Sequence, residues 1–133
     1  MTHLLDTNIC SAYLKRPGGL AHRFMQHVGG LAIPTLVLAE LYTWAFRRPQ
    51  PAPLLHLIEA DLVPDVTILD FDAACARQFG EMRATLLTTG VVVNPVDLMI
   101  AAVARTHDLV LVTHNVKHFE VIPELRIEDW LAP

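Results

Sequence analysis

Short apolar runs with β character alternate with longer runs of helical periodicity along this chain. His3-Leu4-Leu5 stops at Asp6, Leu31-Ala32-Ile33 stops at Pro34, and Leu109 to Val112 stops at Thr113. The pattern predicts strands near 3–6, 31–33, 66–69, 109–113 and 126–128. It predicts helices near 8–15, 20–28, 35–47, 53–62, 73–88 and 95–107. Turn residues punctuate the cuts: Pro17-Gly18-Gly19, Gly29-Gly30, Pro49-Gln50-Pro51, Pro64-Asp65 and Gly90. Such alternation implies an α/β fold, a sandwich of helices around a central, mostly parallel five-stranded sheet. No repeat, low-complexity tract or long linker divides the chain, so residues 1–133 form one domain.

Three carboxylates break this pattern. Asp6 closes the first strand. Glu40 is the lone charge in Leu36 to Phe46, and Asp97 lies between Val91-Val92-Val93 and Leu98 to Ala104. An unpaired carboxylate in an apolar setting costs several kcal/mol or takes up a proton, so three of them ask for a shared counter-charge. A divalent metal ion answers that demand.

Topology brings the three together. Helices of an open parallel sheet start at the edge where the strands' carboxyl ends emerge, the usual site edge of such folds. Asp6 ends a strand, and Asp97 falls in the first turn of a helix opened by Pro95. Glu40 lies five residues after Thr35, roughly 7 Å along its helix. Its side chain leans back toward the helix N-terminus and the same edge. Carboxylate oxygens at an open rim suit Mg²⁺, with Mn²⁺ as a substitute. Thr113, His114 and Asn115 follow the fourth strand at this rim. Each acid also has a structural use: Asp6 as a helix cap, Asp97 in a capping box with Asn94, Glu40 paired with Arg105. The shared rim favours the site.

Composition changes the picture little. The two cysteines, Cys10 and Cys75, form no metal-type pair and no disulfide framework, which fits a reducing, cytoplasmic setting. No signal peptide or membrane-spanning run is visible. The net charge of −4 argues weakly against a nucleic-acid binder, but setting the three unusual acids aside leaves a nearly balanced surface. Phosphate contacts would then fall to Lys15, Arg16, Arg47, Arg48 or Lys117, with His114 touching substrate from the rim. His114 and His118 are a weak zinc pair, because no third ligand has matching spacing. Trp44 and Phe46 are candidates for an interface as well as for core packing.

Leu4-Leu5-Asp6-Thr7-Asn8, Pro34-Thr35 to Glu40, Asn94 to Ala102, Leu111 to Asn115 with His118-Phe119, and the closing Ile127-Glu128-Asp129-Trp130 occur in an order that resembles the PIN domain. More narrowly, the chain is similar to the VapC-type toxin ribonucleases of bacterial toxin–antitoxin pairs. The resemblance spans essentially the whole chain. It implies a PIN-like three-layer sandwich and a Mg²⁺-dependent endoribonuclease that cleaves tRNA or rRNA and halts translation. It also implies a homodimer and a cognate antitoxin that blocks the acidic site. Asp6, Glu40 and Asp97 take the family's three acidic places; Thr7, Asn8 and Thr113 take polar supporting ones. The fourth acidic place is Asn115 here, which brings no charge and weakens the case for a tightly held second metal; Glu120 is a possible substitute.

Two rival classes meet specific objections. A phosphohydrolase of the haloacid dehalogenase type needs Asp-x-Asp after the first strand, where this chain has Asp6-Thr7-Asn8. A catalytically dead binding module would be expected to lack one of the three carboxylates, and all are present. A PIN-domain nuclease acting on another nucleic acid stays open at this point.

Overall fold

The computed structural model describes residues 1–133. Five strands, β1 (His3–Leu5), β2 (Leu31–Pro34), β3 (Thr67–Leu69), β4 (Val110–Val112) and β5 (Ile127–Glu128), form one sheet in the order β3-β2-β1-β4-β5. Every pairing is parallel, so the sheet is more regular than the mostly parallel one expected. β1 is central, with Leu4 opposite Ala32 on one side and Leu111 on the other. A parallel sheet covered on both faces buries successive residues, which is why these strands read as unbroken apolar runs. Leu4, Leu5, Ile33, Leu111 and Val112 are all fully buried.

Helices α1 (Thr7–Lys15), α2 (Ala21–Gln26), α3 (Thr35–Phe46), α4 (Ala52–Leu57), α5 (Ala73–Thr88), α6 (Pro95–Thr106) and α7 (Val116–Phe119) flank the sheet. α6 starts sharply because Pro95 occupies its first turn and Asn94 Oδ1 accepts the Val96 N–H at 2.9 Å. Its Leu98 and Ile100 to Ala104 are buried against the sheet and α5. Such all-round burial is what an apolar helix requires.

The structure departs from the expected elements at two places. The helix expected over 53–62 is α4 followed by a π turn, Ile58–Leu62, and a 3₁₀ turn, Val63–Asp65. Pro64 has no N–H to carry the α-helical ladder onward, and the wider turn still buries Ile58 and Leu62. α7 was not expected. Its four residues are too few for periodicity to show, and it is held by Phe119, which is fully buried.

Candidate active site

Asp6 sits where β1 meets α1, with only 5 % of its surface exposed. It caps α1: Oδ1 accepts the Thr7 N–H at 2.8 Å. Its other oxygen, Oδ2, accepts the hydroxyl of fully buried Thr113 at 2.8 Å. The capping role and a role in the site therefore coexist in one side chain. Thr7 extends the network, since its hydroxyl donates to Glu40 Oε1 at 2.9 Å. Thr113 Oγ1 in turn accepts the Asn115 N–H at 3.0 Å. A continuous chain of bonds runs from Asn115 through Thr113, Asp6 and Thr7 to Glu40, crossing β4, β1 and α3.

Glu40 is exposed on α3 and reaches back to the rim as its helical geometry requires. Arg105 is not its partner: that guanidinium lies against Glu81 and Glu124. Asp97 does not close a capping box with Asn94. It is half-buried, and its Oδ2 lies 3.3 Å from His118 Nδ1. No lysine or arginine pairs with Asp6, Glu40 or Asp97.

Electrostatics tie the three together. Burial pushes the Asp6 carboxyl above its ordinary range; the bonds from Thr113 and Thr7 pull it back, and the charges of Asp97 and Glu40 push it up again. Cys10, fully buried beneath Asp6, is pushed far up by desolvation first and by the Asp6 charge second, so it stays a neutral thiol. Mutually repelling carboxylates with no lysine or arginine paired to them, and only the His118 imidazole beside Asp97, fit a cation. They do not form a closed cage, because no three His, Cys, Asp or Glu side chains gather tightly enough to ligate one ion outright. Mg²⁺ suits such a loose set, since it takes one or two carboxylates and keeps several waters.

The other expected residues divide. Asn8 Oδ1 accepts the His114 N–H at 3.1 Å, so Asn8 pins the loop after β4 to α1. The His114 ring faces Asp129, with Nδ1 to Oδ2 at 3.1 Å, while His118 faces Asp97. The two imidazoles thus serve different carboxylates, which removes the zinc pair. Asn115 and Glu120 are both exposed, and Glu120 takes no part in the hydrogen-bond network around Asp6. Arg47 and Arg48 line a cleft of about 430 Å³ with Glu40, Thr43 and Trp44. Lys117 lines another, with Asp97, His118 and the Val91 to Asn94 loop. Lys15 borders a third beside Trp44 and Arg48, whereas Arg16 lies exposed beyond the end of α1. A larger cavity, about 560 Å³, is elsewhere, between Phe24, Leu31 and Thr67 near the amino ends of β2 and β3. Two contacts were missed in the sequence, His118 to Asp97 and Asp129 to His114. Both join residues far apart in the chain, and no local spacing announces them.

The PIN domain model matches residues 3–125. The tRNA(fMet)-specific endonuclease VapC of Shigella flexneri is 40% identical over 128 residues, covering 96% of each chain. Ribonuclease VapC2 of Haemophilus influenzae is 36% identical over 132 residues, covering 98% of this chain and 99% of its own. Among solved structures, a DNA-bound VapBC from Salmonella typhimurium superposes with a TM-score of 0.92 at 36% identity, over 98% of both chains. VapBC2 from Rickettsia felis, bound to a DNA fragment from its promoter, gives 0.90 at 32% identity, over 98% of this chain and 99% of that one.

Proposed function

The chain belongs to the PIN-domain family, among its VapC-type members, and from that premise we propose that it is a metal-dependent endoribonuclease acting at Asp6, Glu40 and Asp97. The observation that carries this reading is the Asp6 network: a buried carboxylate, bonded by Thr7 and Thr113, that feels Glu40 and Asp97 with no lysine or arginine paired to any of the three.

Asp6 and Asp97 would hold Mg²⁺, with Glu40 binding directly or through water. When bound, the ion supplies the charge that lowers the pKa of a water and steadies the scissile phosphate. Thr113 and Thr7 keep Asp6 aimed and favour its charged form, because each donates to a carboxylate whose pKa burial raises. His118 lies beside Asp97, with Nδ1 3.3 Å from its Oδ2. Asn115 adds no charge at the rim, so a second cation would depend on phosphate oxygens. Water attack leaves 5′-phosphate and 3′-hydroxyl ends.

The substrate is cellular RNA, tRNA or rRNA, a reading supported by relatives named as ribonucleases and as an endonuclease specific for one tRNA. The partner is an antitoxin, supported by the VapBC complexes that share this fold. A cytoplasmic homodimer is part of the same proposal. No helix is long and apolar enough to cross a membrane.

The test is cleavage of total RNA by the purified chain, free of any antitoxin. Mg²⁺ should switch cleavage on and EDTA should stop it. Cleavage of DNA but not RNA would redirect the reading to a DNA nuclease, and inertness toward both would end it.

A further inference from the structure

Four of the chain's ten basic residues, Lys15, Arg16, Arg47 and Arg48, lie at the ends of α1 and α3, in a molecule of net charge −4. None of the four is in an ion pair; Arg105 and Arg126 are the only Lys or Arg residues that are. Trp44 stands in their midst, half-buried, with Lys15 Nζ 5.2 Å and the Arg48 guanidinium 5.4 Å from its ring centre. Trp44 and Arg48 together form the wall between two clefts. One opens along Thr43 and Arg47 to Glu40, and the other runs past Lys15, Pro49 and Leu57.

We propose that the Trp44 ring is a stacking platform for an unpaired RNA base beside the scissile phosphate, with Arg47, Arg48 and Lys15 holding the flanking phosphates. The proposal rests on the endoribonuclease reading above and names how that site holds its substrate. Both cations over the ring are exposed ends of flexible chains, at distances looser than a stacked base would take. An exposed cation–π contact is also weaker than base–aromatic stacking, so a base can displace them onto phosphate oxygens. Unpaired cations around an aromatic face, in a cleft that includes a proposed metal-site carboxylate, suit a single-stranded polyanion with bases.

The test uses the full chain and a single-stranded oligoribonucleotide that the wild type cleaves. Trp44→Ala should raise KM about tenfold with kcat nearly unchanged, and Trp44→Phe should recover most of the loss. In the non-cleaving Asp6→Asn background, decaadenylate should quench tryptophan emission and an abasic ribose-phosphate decamer should not; Trp130 is buried and stays silent. An unchanged KM in a folded Trp44→Ala chain, or equal quenching by both decamers, overturns the proposal while leaving the nuclease reading intact. Loss of antitoxin binding in Trp44→Ala with RNA KM unaltered overturns it too, and assigns the surface to a protein. A wild type that cleaves no RNA with Mg²⁺ or Mn²⁺ brings down both.

Discussion

Asp6 carries opposing influences: burial and acidic neighbours raise its pKa, and the bonds from Thr113 and Thr7 lower it. Its folded-state pKa lies above the unfolded value, first through burial and then through its acidic neighbours. Such a group contributes stability below the unfolded pKa, and that contribution is lost as pH rises through the folded one. In metal-free protein Asp6 should therefore add a falling slope to stability as pH climbs from about 4 through its raised range, opposite in sign to the rise that Asp72 and Glu128 contribute. Asp6→Asn should flatten that slope in thermal melts recorded across pH; a slope equal to the wild type's would contradict the assignment. The same variant should lose RNA cleavage by more than about a hundredfold while keeping its circular dichroism spectrum. Thr113→Val leaves the buried Asp6 Oδ2 without its donor, which should cost about 1–3 kcal/mol in denaturant unfolding at neutral pH. Thr113→Ser should restore most of it.

At the scale of elements, α3 carries Glu40 to the rim and Leu41 into the core side by side. Leu41 is fully buried, so Leu41→Ala should destabilise by about 2–5 kcal/mol in urea titration and loosen the helix that aims Glu40. Much of this was legible in the sequence. The strand runs ending in Asp6 and Thr113, and Pro95 opening α6, placed three site elements from local chemistry alone. The lone charge at Glu40 marked a residue with nothing nearby to pair with. What escaped was decided by contacts distant in sequence: His118 on Asp97, His114 on Asp129, and the short α7 held by Phe119. The capping box at Asn94 was half right, because Asn94 caps α6 while Asp97 turns to His118 instead. The helix over 53–62 widens into a π turn from Ile58 and ends in a 3₁₀ turn at Pro64, which has no N–H to donate, a detail that apolar spacing does not encode.

At the scale of the molecule, the sheet order β3-β2-β1-β4-β5 puts the carboxyl ends of β1 and β4 side by side. That adjacency lets one buried aspartate be gripped from its own helix and from a neighbouring strand, with Glu40 tied in through Thr7. Fold and site are thus one arrangement, because the bonds that fasten α1 and α3 to the sheet also orient the acids. Titration of the purified chain with Mn²⁺, followed by electron paramagnetic resonance, measures whether these oxygens grip a cation. Binding should be present in the wild type and strongly weakened in each of Asp6→Asn, Glu40→Gln and Asp97→Asn. Undiminished Mn²⁺ binding in all three folded variants would contradict the account.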